Sequence, residues 1–483
     1  MTDQPAAAAP ARTPPAAAGQ LEPDAIGITQ DTVIGMAASA PAASIGLTLA
    51  ALAAATAYGS GPIILLTALP MLIIANAYRR LNMWNASAGA SFEWVGRAIS
   101  PYLGFLTGWL MIAAYVIATV SGVEVLGPSV LSVFGDNSTA VGPNIAIATA
   151  VTLVMLALAV VGIKITAQTQ IGFAVVEYVI LIGFAAVGLA AVLGHHAGTL
   201  PASRGWLSVS GIGGQGSAAA GFLTAVYMFT GWDGTVYVNE EVTRRHTNPG
   251  RAAVLAVAFL AVIYTFSTVG LQGAVSPGKL QANSASALVY IAQALGGGGW
   301  AKVMALGLAL SVIASTLAGI VLTARIVYGM ARERVLPPFL GQVSRRFATP
   351  VAASVIIGLL IVALTWVYLL ATSVQDSFND VVAITGVLFA VFYILTALAT
   401  IAYYRRRVVA SVWDALTLGV LPVAAAVFLG WIVVKSLGPA PAAELWSLAG
   451  VVVAGLVLMF AARFVLRAPF FQARLESDGQ PGA

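Results

Sequence analysis

Long apolar stretches follow one another from Asp31 to Arg467, separated by short polar segments. At 1.5 Å per residue, about 20 residues cross the ~30 Å hydrocarbon core of a bilayer. The pattern predicts twelve such spans, at 31–54, 61–81, 102–128, 141–162, 167–194, 217–241, 251–275, 300–330, 350–371, 378–404, 411–436 and 444–467. Two of them are interrupted near their middles. Span one contains GMAASAPAASIG at 35–46, and span six contains GFLTAVYMFTGWDGTVYVNEE, with Gly231 and Gly234 around Trp232 and Asp233. Proline lacks an N–H and crowds the carbonyl four residues back, here Ala37. Unpaired backbone in hydrocarbon costs several kcal/mol, so it is tolerated where it lines a cavity or is covered by protein.

Interrupted helices at matching positions of two halves point to inverted repeats with a solute site between them. The halves are 28–200 (spans one to five) and 201–407 (spans six to ten), followed by two accessory spans within 408–467. The connections agree. NASAGASFEWVGRA, between spans two and three, has amphipathic helical spacing, and its counterpart SASALVYIAQALGGGG, between spans seven and eight, falls on the opposite side. The predicted fold is an all-α integral membrane protein of twelve transmembrane helices. It has a five-plus-five inverted repeat with broken helices one and six, plus two C-terminal helices.

Composition supports the bilayer: 59% of residues are hydrophobic and 8% charged, against roughly 25% charged in soluble domains. Nineteen of the 23 lysines and arginines fall on one side of the twelve spans, which by the positive-inside tendency is cytoplasmic and holds both termini. The basic balance is thus an orientation signal and implies no nucleic-acid partner. The leading MTDQPAAAAPARTPPAAAGQLEPD lacks the basic start and apolar core of a cleaved signal. Residues 1–27 are expected to form a disordered cytoplasmic tail, and 468–483 a second tail. Cysteine is absent, and His195, His196 and His246 lie in loops. An intramembrane enzyme, a thiolate metal site and a cofactor therefore have no residues to carry them.

The second half of span one would begin with the amides of Ala42, Ala43 and Ser44 exposed, a positive dipole end suited to a carboxylate. The small Ser39, Ala40, Ala42, Ala43 and Gly46 also permit close helix approach, and the plainer reading is a packed, kinked helix. In span six, carbonyls unwound around Thr230, Gly231 and Gly234 can receive an ammonium group. Asp233 has two readings, a charge partner in the cavity or a cap on the amides of Thr235 and Val236. Phe229 and Trp232 supply either a cation–π wall or packing. Acids within the spans are Glu124, Glu177 and Asp233, without a clearly buried base, so a proton, sodium ion or substrate amine is expected to enter. Glu124 suits a vestibule position near the outer end. Glu177 is the coupling candidate, against a protonated glutamate bonded to a neighbouring helix. Ser311, Ser315 and Thr316 offer hydroxyls for coupling, with sodium placed at Ser315 and Thr316, unless they bond their own helix carbonyls. No other metal site is expected. On the inner side, Glu240 and Glu241 can pair with Arg97, Arg325 or Arg332 as a gate, or simply be solvated.

Four segments, GASFEWVGRAISPYLGFLTGWL (89–110), GIKITAQTQ (162–170), FTGWDGTVYVNEEVTRRHTNPGRA (229–252) and ARIVYGMARERVLPPFL (324–340), resemble the amino acid–polyamine–organocation transporter superfamily. The resemblance implies the five-plus-five fold and a site between spans one and six with contacts from three, eight and ten. It implies that carbonyls bind an amino group and amides bind a carboxylate. The chain departs at Ser39-Ala40-Pro41-Ala42-Ala43-Ser44, where amino acid carriers commonly show a Gly-Ser-Gly break, and is closer there to branches associated with putrescine or diverse amines. Glu177 stands where proton-coupled cationic amino acid carriers place a lysine. The expected function is a secondary importer of an amino acid or small amine, driven by protons or sodium. An inorganic cation carrier and a non-transporting sensor are the alternatives.

Overall fold

The computed structural model describes residues 20–478 except 57, 137, 139, 209–217, 372–373 and 439, and the side chains of 124, 285 and 371–382 also lie outside the described residues. The chain runs through α1 (Ile28–Ala38), α2 (Pro41–Thr56), α3 (Ser60–Trp84), a short connecting α4 (Ser91–Ala98), α5 (Pro101–Val133), α6 (Val141–Val161) and α7 (Ile163–Leu193). The second half follows as α8 (Ala218–Met228), a 3-10 turn at Trp232–Val236, α9 (Asn248–Gln272), the short α10 (Pro277–Ala282) and α11 (Ala287–Gly296), α12 (Gly298–Arg332), α13 (Val351–Ala371) and α14 (Val374–Tyr403). Two short turns, α15 (Arg405–Val408) and α16 (Val412–Asp414), lead to α17 (Leu421–Leu437) and α18 (Ala442–Phe460). Proline opens α5, α9 and α10 in the first turn, where its missing N–H is not needed.

Among the described residues, eleven helices are long and apolar enough to cross a membrane, with α1 and α2 counted together. The twelfth crossing is the interrupted sixth, whose helix α8 is too short to qualify alone. Gly250 at the start of α9 packs against Arg79 near the end of α3. Consequently α4, which follows α3, and α11, which follows α9, lie at opposite faces of the bundle, the inverted relation the sequence predicts. At the centre α12 and α5 pack on each other, and α12 also touches α1, α2, α6, α7 and α13. The peripheral helices leave side chains such as Val179, Leu370, Val427 and Val457 exposed, as faces turned to lipid require.

Part of each segment expected to form a tail packs onto the bundle. Residues 1–19 lie outside the described residues, but Leu21 and Ile26 are buried. Ile26 also forms a bridge with Val242, its N–H donating to Glu241 O (3.1 Å) and its carbonyl accepting from Thr243 N (2.9 Å). At the other end Phe470 stacks on Phe92 with ring centres 4.4 Å apart, and Glu476 N–H donates to Arg97 O (2.7 Å). A few apolar side chains in each segment find tertiary partners that local composition does not reveal. α17 packs on α14, α3 and α8, and α18 on α5 and α14.

Candidate functional site

The first interruption arises at a single proline. Ala40 adopts a left-handed conformation, φ +45°, and Pro41 starts α2 without an N–H to give. The next two amides also leave the helical ladder: Ala42 N–H donates to Glu177 Oε1 (2.9 Å) and Ala43 N–H to Ser311 Oγ (3.2 Å). Ala38 and Ser39 carbonyls thereby lose their ladder donors. Ser39 O accepts instead from the hydroxyls of Ser44 (2.7 Å) and Tyr264 (3.3 Å), while Ala38 O faces the second interruption.

There α8 stops at Met228 and Gly231 takes φ +102°. A Cβ on Gly231 would lie 2.7 Å from the carbonyl carbon and oxygen of Ala38 and 2.9 Å from Ser39 N. The two interruptions therefore touch backbone to backbone, an approach that glycine alone permits.

Against this contact lies a cavity of about 40 Å³, enough for roughly three waters at 10–15 Å³ each. Ser39, Ala40, Ala43 and Ser44 line it from the first interruption, and Tyr227 and Thr230 from the second. Tyr115 and Thr119 of α5, Ser315 of α12 and Phe389 of α14 close it. Asp233 sits directly behind Tyr115. Fully buried, it accepts from the hydroxyls of Tyr115 (3.0 Å) and Tyr393 (2.8 Å) on Oδ1 and of Tyr237 on Oδ2. Three phenol donors satisfy a carboxylate that burial would otherwise make costly.

The predicted residues divide accordingly. Ser39, Ala40, Ala43, Ser44, Thr230 and Ser315 meet at the cavity. Ala42, Glu177 and Ser311 stand behind its wall in the hydrogen bonds just given. Gly231 joins the two breaks. Trp232 turns away from the cavity lining and stacks on Tyr393 (5.3 Å), and Phe229 packs edge-on to Tyr264 (5.4 Å). The aromatic wall comes instead from Tyr115, Tyr227 and Phe389. Asp233 holds tyrosines, an arrangement neither reading from the sequence contained. Ser315 and Thr316 hydroxyls both donate to Val312 O, at 3.0 and 2.8 Å. The Glu124 side chain lies outside the described residues. Sequence reasoning missed Tyr115, Tyr237, Tyr393, Thr119 and Phe389; only Tyr237, one helical turn beyond Asp233, carried a local signal. It also passed over Asp31, buried in the first turn of α1 with neither carboxyl oxygen hydrogen-bonded among the described residues.

On the face that holds both described chain ends, the expected charges come together. Arg325 and Glu241 are both fully buried and form a two-pronged pair, Nε to Oε2 at 2.8 Å and Nη2 to Oε1 at 3.0 Å. Arg332 reaches Glu240 (2.8 Å) and Ser87 (2.6 Å), and Glu240 also accepts Ala88 N–H (3.0 Å). Arg97 pairs with Glu333 (2.9 Å), Glu93 (3.4 Å) and Glu476 (3.3 Å). Burial pushes the Glu93 carboxyl above its ordinary value, partly offset by the Ser87 hydroxyl and by Arg97 and Arg332. Backbones meet here too, a Cβ on Gly329 falling 2.5 Å from Gly89 N.

Two inverted halves whose interrupted helices meet beside a central cavity, sealed on one face, define a multi-pass membrane protein of the inverted-repeat carrier architecture. The family described as amino acid permease matches residues 28–465, and the chain belongs to that family, within the amino acid–polyamine–organocation superfamily. The fold is shared with the crystal structure of MhsT in complex with L-phenylalanine, at a TM-score of 0.61 and 15% identity over 86% of this chain and 99% of that one. The low-affinity putrescine importer PlaP of Escherichia coli (strain K12) is 26% identical over 334 residues, 66% of this chain and 69% of that protein. The Asc-type amino acid transporter 1 of Mus musculus is 32% identical over 138 residues, 29% of this chain and 26% of that protein. The match thus spans about a quarter of the mouse protein's length.

Proposed function

We propose that the chain is a secondary active transporter. It imports an amino acid or small organic amine across the cytoplasmic membrane by alternating access, with both termini in the cytoplasm and a proton or sodium gradient as the driving force. The observation that carries this reading is the contact of the two interruptions beside the cavity, since broken backbone at that depth serves a solute path. The names and family of the relatives support it. Ser39, Ala40, Ala43, Ser44 and Thr230 would face the solute, and Gly231 would let the two half-helix pairs move about one point. Arg97, Glu240, Glu241, Arg325 and Arg332 would form the cytoplasmic gate, which their ion pairs would hold shut.

Glu177 is the coupling residue in this reading. One oxygen holds Ala42 N–H, while Oε2 is buried without a hydrogen bond among the described residues, a place for a proton to bind and leave. With sodium instead, Ser311, Ser315 and Thr316 would lend their lone pairs. Purified protein in liposomes is expected to accumulate an amine-bearing solute only with an inward gradient. Glu177→Gln, which keeps an acceptor for Ala42 but removes the titrating oxygen, should lose most of the gradient-driven accumulation while still binding solute. Wild-type accumulation by Glu177→Gln under every gradient removes Glu177 from coupling, and wild-type uptake indifferent to any gradient sinks secondary transport itself.

A further inference from the structure

An amine and the corresponding amino acid differ by one carboxylate, and reading a carboxylate takes hydrogen-bond donors. At the first interruption every backbone donor is spent. Ser39 N–H donates to Met36 O (3.1 Å), Ala40 N–H to Ala37 O (3.1 Å) and Ser44 N–H to Ala40 O (2.8 Å). Pro41 has no N–H, and the amides of Ala42 and Ala43 are held by Glu177 and Ser311. The positive end of α2 is thus already occupied by the protein's own carboxyl group.

The cavity wall shows the same bias. Six hydroxyl-bearing residues of the lining commit their single proton to a partner in the protein. Ser39 Oγ donates to Gly35 O (3.3 Å), Ser44 Oγ to Ser39 O (2.7 Å) and Thr119 Oγ1 to Tyr115 O (2.7 Å). Thr230 Oγ1 donates to Tyr227 O (2.8 Å), Ser315 Oγ to Val312 O (3.0 Å) and Tyr115 OH to Asp233 Oδ1 (3.0 Å). What these groups have left to offer is lone pairs. No lysine, arginine or histidine is among the described lining residues. Ala38, whose carbonyl loses its ladder donor to Glu177, also lines the cavity. A lining whose hydroxyls mostly have only lone pairs left suits an ammonium group and leaves a carboxylate short of donors.

We infer that the solute is a primary amine without a carboxylate, and that Glu177 and Ser311 set this preference by filling the amides an amino acid's carboxylate would need. The inference rests on the transport reading above and narrows it. The test uses pairs differing only in the carboxylate: 1,4-diaminobutane against ornithine, agmatine against arginine, and phenethylamine against phenylalanine. Each compound is assayed by uptake into liposomes holding the full chain and by the shift in melting temperature of the purified protein. The amine of at least one pair should be taken up and stabilise the protein, with its acid partner at least about tenfold weaker. Ser311→Ala, which frees Ala43 N–H, should narrow that gap. Equal or stronger uptake of the amino acids overturns the inference and leaves transport standing. If no member of any pair is taken up or shifts melting, both readings fall. An undiminished gap in Ser311→Ala, with uptake intact, removes amide filling as its cause.

Discussion

Arg325→Ala is expected to destabilise the protein by about 3–5 kcal/mol, the usual consequence of leaving a buried charge without its partner. Arg325 and Glu241 are both fully enclosed, and the guanidinium meets the carboxylate through two parallel hydrogen bonds. The third donor set of Arg325 is anchored to Val321 O (3.3 Å), one turn back on α12. Removing Arg325 strands the Glu241 carboxylate, whose own carbonyl also holds the N-terminal segment through Ile26. Removing both charges leaves no ion to desolvate, so Arg325→Ala/Glu241→Ala should melt above Arg325→Ala. Arg325→Lys should fall between wild type and Arg325→Ala, because an ammonium cannot reproduce the planar fork. Thermal unfolding of purified protein in detergent measures all three. A melting temperature for Arg325→Ala within a degree or so of wild type would show that the pair contributes nothing.

The same face holds two other clusters that physics treats differently. The side chains of Arg332 and Arg97 are 40% and 32% exposed, and those of Glu333 and Glu476 are 27% and 38% exposed. Water can therefore solvate the Arg97–Glu333 and Arg97–Glu476 pairs as they separate, and each contributes only ~0–1 kcal/mol, while Glu93 between the two arginines is buried. Parting Arg325 from Glu241 would expose bare charges to a dry interior, whereas parting Arg97 from Glu333 or Glu476 would cost little. In the proposed transport cycle, opening of this face would favour α12 and the turn at Glu241 moving as one body, with the half-exposed pairs breaking around it.

What could be read from the chain and what could not separate along a physical line. Pro41 lacks an N–H wherever it stands, and glycines around Trp232 and Asp233 weaken any helix, so both interruptions were visible locally. The choice between alternatives was not. Glu177 lies 135 residues from Ala42 in sequence and Ser311 268 from Ala43, so nothing local announces that these side chains fill the amides of α2. Trp232 and Phe229 belong to the interrupted segment, but a chain that leaves helical geometry no longer has the 3.6-residue period that would assign their faces. The environment of Asp233 is split in the same way: Tyr237 is one turn away, while Tyr115 and Tyr393 arrive from α5 and α14. Among the residues expected to form an inner gate, the charges were legible without the pairing, which depends on where α12 ends relative to the second interruption.

Gly231→Ala is expected to abolish uptake, by at least about 100-fold, whereas surface substitutions away from special backbone or packing features usually leave stability within about ±0.5 kcal/mol. Two penalties coincide at this position. The backbone is held at φ +102°, where an L-residue is strained by roughly 1–2 kcal/mol. The added Cβ would also meet Ala38 C and O at 2.7 Å and Ser39 N at 2.9 Å. Those are main-chain atoms of the opposing interruption, with no flexible side chain to swing aside, so relief requires the two broken helices to separate. Separation would pull the carbonyl of Ala38 and the turn at Thr230 away from the cavity they share. Gly172 provides the contrast: it lies within α7 with nothing within 4 Å of where an added Cβ would sit, and alanine there should be neutral or stabilising by about 0.5–1 kcal/mol as a better helix former. Measuring both variants by liposome uptake and thermal unfolding separates loss of site geometry from general damage. Near-normal uptake by Gly231→Ala would mean that the backbone contact between the interruptions is dispensable, and with it the idea that the solute site is built on their meeting.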